Sequence, residues 1–600
     1  MNLTTNLMKK LMLALFLSIS SIAMSQVNSY EINELGFLRS PMETKNGIVL
    51  SNNHFTEIYL LKDNQLTTLV KGRGCGIYTQ MSRDKTLIGF KSINESYQQA
   101  PAILNVETGA ITLLEDYCNQ CGQVSFSNDG TMAYTMGNNL IIRKGDNKKS
   151  YDLGFYTNIA NISPDATQVA YNNIDGRMFI IDLTTGKSSL IDVLDGYNGV
   201  WSPDGTKLAI HTIDGNLSVL DCSNNKIYQL GKGLSASWAN NSTELIYTSI
   251  DSPKEMVVTG SSIKKVTFDG SKRMTLVPSS DNMPTDAIIT SDNKLLVPYS
   301  TGVKRGLVLR DMPTSEIMPF SAQEETALIE IEEDENFGAR LNGEDKSKQP
   351  VKPASKIITP KSYEQTIGAL DIPYLNQVYD VTAVNGCTKW GYVACGPTSA
   401  CMFLGYFGLL DPVETTSRYS SSIKRQYAYH IGNAFTNQAK TTKFTLTATG
   451  NRCENIPGGY GFMWNTGSPQ SNIEDFMKLN GCKQTGKTYD RTTAWNTFKK
   501  EVAAGRPYIL CVNLGSDGHV ILGFATNCYH SSNVGFVEKQ GTFVCHDPYG
   551  DYNYSKWPNF DGQHSSYDWV GVNNGYANIG TYHWSVYAIP AEEGETVPEL

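Results

Sequence analysis

The run Tyr392-Val-Ala-Cys-Gly-Pro-Thr-Ser-Ala-Cys-Met-Phe-Leu-Gly405 holds two cysteines whose settings point to opposite roles. Cys395 stands at the mouth of an expected helix. Pro397 suits a first helical turn, Gly396 lets a substrate backbone come close, and the free N–H groups of that turn favour a thiolate over a thiol. Cys401 lies about 240° around the same helix, inside the apolar run from Ala400 to Leu410, and reads as a core thiol.

A cysteine nucleophile needs a histidine within hydrogen-bond reach, and that histidine needs an acceptor on its other nitrogen. His519, in "GRPYILCVNLGSDGHVILGF", sits where a turn hands over to an apolar strand, and Asp547, in "GTFVCHDPYGD", closes a strand just before Pro548. If these strands are antiparallel neighbours, both side chains meet at one sheet end, facing the helix that carries Cys395. His546 adjoins Asp547 and so is expected on the opposite sheet face. His530 and His564 read as loop residues, and His430 and His583 have no evident partner.

The elements that must position these residues begin near Ile367, where helix and strand signals mix. "TSACMFLGYFGLL" is a helix buried nearly all round, and Ser471-Asn-Ile-Glu474 is a capping box opening a helix through Leu479. "TTAWNTFKKEVAAG" sets apolar Trp495, Phe498 and Val502 at helical spacing before a stop at Gly505. Tyr508 to Asn513, Val520 to Phe524, Thr542 to His546 and His583 to Ile589 read as strands, giving an α+β domain.

Ahead of it, from Asn46 to Phe320, one pattern recurs: an apolar residue, a turn of Ser-Pro-Asp-Gly type, an alternating strand, a polar turn and another strand. "WSPDGTKLAIHTIDGNLSVLD" and "ISPDATQVAYNNIDGRMFIID" are clear copies, and the anchors Ser82, Ser127, Ser163, Ser202, Ala239 and Thr290 recur at about forty-residue intervals. That period predicts a β-propeller of about six to eight four-stranded blades. The turns resemble those of TolB-type and WD-type propellers, which speaks to fold alone. Asp165 and Asp204 repeat around the ring, and the local reading of each is an acceptor for turn N–H groups.

The expected organisation is a signal peptide at 1–25, a propeller at 26–320, a charged, proline-containing linker at 321–363 and the α+β domain at 364–600. Lys9 and Lys10, the apolar run from Leu11 to Ile22 and Ala23-Met24-Ser25 have the order of a secretory signal, so the mature chain is expected outside the cytoplasm, secreted, periplasmic or at the cell surface. No other apolar run is long enough to span a bilayer. The chain has 600 residues, 40% apolar, 18% charged and a net charge of -9, which is the balance of a soluble globular protein and argues against a nucleic-acid partner. Twelve cysteines permit disulfides but are too dilute to replace a core. Cys118 and Cys121 form a lone C-x-x-C; without a second pair, a local disulfide or two plain thiols is the simpler reading, and no function attaches to it here.

The order Cys, His, Asp is that of papain-like peptidases. In detail the segments resemble the bacteriocin-processing type, the double-glycine leader peptidase-like cysteine peptidases. "IPYLNQ" with Gln377, "CGPTSACMFLGYFG" with Cys395, "FKKEVAAGRPYIL", "GHVILGF" with His519 and "HDPYGD" with Asp547 run in family order from Ile372 to Tyr549. The resemblance implies Cys395 as nucleophile, His519 as general base and acid, Asp547 as orienting acceptor and Gln377 as oxyanion-hole donor, with no cofactor or metal. The chain departs from the family in Ala394 before the cysteine, in the segment from Asp380 to Val393 and in an apparent insertion from Thr415 to Gly467. The expected activity is peptide hydrolysis, with the propeller binding a substrate or surface partner and the two parts folding separately. Two other functions fit the same residues: a cell-wall amidase or transpeptidase on the same fold, and an inert peptidase-like domain behind a binding propeller.

Overall fold

The computed structural model describes residues 38–63, 65–251, 260–280, 283–300, 305–312, 372–380, 395–410, 469–486, 493–514, 517–554 and 557–591, with short strands at 28–31, 414–416, 424–426, 445–446 and 456–457. The expected signal segment, the linker, His430 and the loop before Cys395 lie outside these residues.

Seven four-stranded antiparallel sheets follow one another from the N-terminal side, with strands at 39–71, 80–113, 125–152, 160–194, 196–232, 234–280 and 288–311. The seventh has three strands of its own and takes its fourth, Asn28–Glu31, from the start of the chain, where Tyr30 pairs with Leu307. The pairing joins the first and last parts of the ring, so no blade face is left without a neighbour.

The repeated turns show why the aspartates recur. Asp165 Oδ1 accepts from Ser163 Oγ at 2.6 Å and from the Thr167 N–H at 3.1 Å. Asp204 repeats this with Ser202 at 2.6 Å and Thr206 at 3.0 Å. Adjacent blades are tied by indole donors: Trp201 Nε1 reaches the Asn161 carbonyl and Trp238 Nε1 the Val200 carbonyl, each at 2.8 Å.

In the C-terminal part the sheet strands are β1 (Cys482–Gly486), β2 (Tyr508–Leu514), β3 (Asp517–Ser531), β4 (Gly535–His546), β5 (Ser565–Asp568), β6 (Ala577–Asn578) and β7 (Tyr582–Pro590). Their order is β1-β7-β2-β3-β4-β5-β6, antiparallel except for β5 with β6. The helices are α1 (Cys395–Tyr406), α2 (Pro469–Leu479) and α3 (Ala494–Ala503). Thr493 caps α3 by accepting from the Asn496 N–H at 3.3 Å.

Two expectations shift. The helix α2 opens at Pro469 rather than at Ser471, because proline fits a first helical turn whose N–H has no intrahelical partner. Strands β3 and β4 run on as a long hairpin, with His530 opposite Phe536. Their polar outer halves lack the apolar alternation that marks a strand in sequence. Trp495, Phe498, Tyr508, Phe543 and Trp569 pack ring on ring in the core between α3 and the sheet.

The C-terminal part is seated on the propeller. The loop between β5 and β6 makes several of the contacts. Asn158 Nδ2 reaches the Gly571 carbonyl at 2.9 Å, Tyr78 OH accepts from the Gly571 N–H at 2.8 Å, and Asn573 Nδ2 reaches the Gly74 carbonyl at 2.9 Å. The ammonium of fully buried Lys91 donates to the Asn573 carbonyl at 2.8 Å and to Gln99 Oε1 at 3.1 Å. Tyr97 of the propeller stacks on Tyr576 with ring centroids 4.8 Å apart. These anchors come from loops far in sequence from the charged linker that joins the two parts.

Candidate active site

Helix α1 starts at Cys395 itself, so the thiol sits at the N-terminal end where free N–H groups favour negative charge. Ser399 Oγ donates to the Val520 carbonyl at 3.1 Å and ties the first turn of α1 to β3 beside His519. His519 pairs across the sheet with Val512, and Asp547 follows the end of β4. The meeting at one sheet end arises because β3 and β4 are antiparallel neighbours whose register sets Leu522 opposite His546.

His519 Nε2 and Asp547 Oδ1 are 2.6 Å apart, both side chains being buried. The Cys395 thiol hydrogen-bonds to the same imidazole, which leaves Nδ1 as the nitrogen facing sulfur. Burial pulls the His519 pKa down, but the Asp547 carboxylate and then Cys395 outweigh it and raise the value to about 10. The imidazole is therefore held as imidazolium through neutral pH.

Asp547 is itself fixed on both oxygens. Oδ1 also accepts the Tyr549 N–H at 2.8 Å, and Oδ2 accepts the Tyr567 hydroxyl at 2.7 Å. Trp557 stands edge-on to His519 with centroids 5.3 Å apart, shielding the ion pair from water. Gln377 is buried, and its N–H donates to the Pro548 carbonyl at 2.7 Å, which docks its segment on the turn after Asp547. The structure thus brings Cys395, His519 and Asp547 into one hydrogen-bonded line and Gln377 onto the adjoining turn.

Tyr567 and Trp557 were not read from the sequence. Tyr567 reaches Asp547 only because β5 pairs with β4, Phe543 opposite Tyr567, and no local spacing marks that. Trp557 lies in the aromatic stretch "YNYSKWPNF", the one available signal.

The remaining histidines sort cleanly. His546 is buried away from the line, with Nε2 3.3 Å from the Ile372 carbonyl and Nδ1 accepting the His564 N–H at 3.2 Å. His530 lies within β3, not in a loop, and its ring is 4.5 Å from that of His564. His583 has a partner after all, with Nε2 2.6 Å from Asn513 Oδ1. Cys401 is fully buried, and burial raises its thiol well above the ordinary range, so it stays an inert thiol. Among the described residues no group of three or more His, Cys, Asp or Glu side chains could hold a metal ion.

Residues 369–576 match the model of the Peptidase_C39 like family. A C39-like peptidase domain follows a seven-bladed propeller. A comparison with curated proteins found no match. Among solved structures, the chain is similar to TolB from Acinetobacter baumannii at 18% identity and a TM-score of 0.31, covering 39% of this chain and 62% of that one. It is also similar to a chain of a mitotic checkpoint complex at 13% identity and a TM-score of 0.36, covering 48% of this chain and 91% of that one. Among the described residues no helix is long and apolar enough to cross a membrane.

Proposed function

We propose that the protein is an exported, papain-like cysteine peptidase in which Cys395, His519 and Asp547 form the catalytic triad and Gln377 donates to the oxyanion. The observation that carries this reading is the 2.6 Å contact of His519 with Asp547, with the Cys395 thiol bonded to the same imidazole at the start of a helix. The Cys395 thiolate attacks the peptide carbonyl, and the oxyanion is held by the Gln377 side chain and the Cys395 N–H. The His519 imidazolium gives its proton to the leaving amine. It then takes a proton from the water that clears the acyl-enzyme, while Asp547 holds the ring in place throughout. The charge, apolar core and small residues of the first 25 positions support export.

The propeller borders the peptidase domain near this site, through a cavity that Cys395, His519, Asp547 and Gln377 do not themselves line. This cavity of about 370 Å³ lies between the two parts, lined by Arg39, His54, Phe55 and Tyr197 from the propeller and by Asn513 and Tyr552 from the peptidase domain. Tyr552 touches His54, with centroids 4.9 Å apart, and Trp557 at 5.0 Å, and Trp557 flanks His519. Arg39 is neutralised by Asp286 at 2.7 Å, so the cavity suits an uncharged stretch of peptide flanking the scissile bond.

Labelling with a thiol-reactive peptidyl electrophile, followed by peptide mapping, tests the reading. Attachment to Cys395 and loss of peptide hydrolysis together support it. No label on Cys395 in the folded protein would leave a binding protein with an inert domain. Digestion of peptidoglycan but not of unfolded protein would point to an amidase.

A further inference from the structure

We propose that Cys118 and Cys121, on the propeller, form a reversible thiol–disulfide exchange site in which Cys118 attacks a disulfide and Cys121 resolves the mixed disulfide. The loop that carries them is fixed at both ends. Cys118 makes a two-way backbone bridge with Gln99, at 2.7 and 2.9 Å, and Cys121 bridges Met136 in the next blade. Both cysteines are free thiols, and they are unequal. Cys121 is fully buried, whereas Cys118 is partly open to solvent; the Cys118 thiol donates to the Gln99 carbonyl at 3.4 Å and the Gln120 carbonyl at 3.2 Å, and its sulfur lies within hydrogen-bond reach of the Cys121 thiol.

Two ammonium groups flank the loop. Lys539 Nζ donates to the Asn119 carbonyl, between the two cysteines, at 2.8 Å, and Lys91 Nζ donates at 3.1 Å to the Gln99 amide oxygen that also accepts the Cys121 N–H at 3.2 Å. The Cys121 hydrogen bond is the largest influence on Cys118 and outweighs partial burial. With the two lysines it lowers the Cys118 thiol to about 6, while burial pushes Cys121 well up. A partly accessible, acidic attacking thiol ahead of a buried, protonated one is the asymmetry that exchange needs.

The electrons balance with a disulfide as co-reactant. The Cys118 thiolate bonds to one sulfur of RSSR and releases RS⁻. The Cys121 thiol, giving up its proton, then attacks Cys118 and releases the second RSH. Two thiols are oxidised and one disulfide is reduced. A bridge across so short a loop constrains the unfolded chain little, so it gains little stability and remains open to reduction. The reactants are small-molecule disulfides or exposed protein disulfides.

The test uses the full chain, equilibrated in buffers of graded reduced and oxidised glutathione, quenched in acid, alkylated and mapped by peptide mass spectrometry. The expected result is a Cys118–Cys121 disulfide that appears and disappears within the glutathione range. Cys121→Ala should carry glutathione on Cys118, and Cys118→Ala should carry none on Cys121. Catalysed reduction of insulin by dithiothreitol, lost in Cys118→Ala, would extend the reactants to protein disulfides; a response to glutathione alone assigns small molecules. A wild-type pair that never oxidises, or whose disulfide glutathione cannot reduce in the folded protein, overturns the proposal, as does absence of glutathione from Cys118 in folded Cys121→Ala.

Discussion

His54 and His211 of the propeller and His519 of the peptidase domain are shifted in opposite directions. In the propeller, burial lowers His54 and His211 to about 4, so both are neutral rings at physiological pH. In the peptidase domain His519 is buried, yet it is raised to about 10 because a carboxylate and a thiol meet its two nitrogens. Burial alone lowers an imidazole's proton affinity, whereas burial beside a fixed carboxylate raises it. The aspartates divide likewise. Asp165 and Asp204 serve turns within two residues of themselves, while Asp547 serves a histidine on another strand and is held by Tyr567 from a third.

The largest effect that sharpens this contrast is expected from Cys395→Ala, which should cut hydrolysis by about 10⁴-fold or more. Cys401→Ala should retain activity and lose about 1 kcal/mol or more of stability, read by urea unfolding. Equal turnover of Cys395→Ala and wild type would sink the peptidase assignment.

Asp547→Ala should reduce turnover by roughly 10³- to 10⁴-fold while leaving alkylation of Cys395 detectable, since the carboxylate orients His519 and bonds nothing in the substrate. The same variant has a pH signature. His519 is raised above its unfolded value of 6.5, so its contribution to stability is full below about pH 6.5 and is lost as pH rises through about 10. Activity needs the imidazolium as acid and should fall over the same alkaline limb. Without Asp547 that limb should move to lower pH; an unmoved limb would show that Asp547 does not set the His519 proton.

Gln377→Ala should slow acylation by about a hundredfold, measured in single-turnover kinetics. Gly571→Ala tests the junction. Gly571 has φ +83, and an added Cβ would stand 2.9 Å from Tyr197 Cβ. The variant should lose about 1–3 kcal/mol and become more sensitive to proteolysis, without a change in Cys395 labelling chemistry. If Gly571→Ala leaves the melting temperature untouched, the docking of the two parts is weaker than its hydrogen bonds imply. Tyr567→Phe should have the smallest effect, a few-fold loss of kcat, because one hydroxyl to Asp547 is removed while the Tyr549 N–H remains.

Much of the architecture was legible because it is written locally. The Ser-x-Asp turns repeat at blade spacing, and each is a closed hydrogen-bond unit of five or so residues, so sequence alone marks them. The helix start at Cys395 and the strands near His519 and Asp547 were legible for the same reason: Gly-Pro, apolar runs and a proline stop are short-range signals. Less was legible where partners are remote. The closing strand at Asn28–Glu31, the long β3–β4 hairpin, the Tyr567 hydroxyl and the partner of His583 all depend on strand register across the sheet.

Residue types and short spacings already hold the available chemistry: a cysteine at a helix mouth, a histidine and an aspartate at strand ends, and a repeat that closes into blades. It takes long-range packing to set sulfur and carboxylate on the two sides of the imidazole, to bring a phenol to the carboxylate, and to bury a peptidase-domain loop against the propeller around Lys91. The difference is one of range. Turn and helix preferences act over a few residues, but the acidity of a buried ring and the seating of one domain on another depend on groups hundreds of residues away that only packing brings within hydrogen-bond distance.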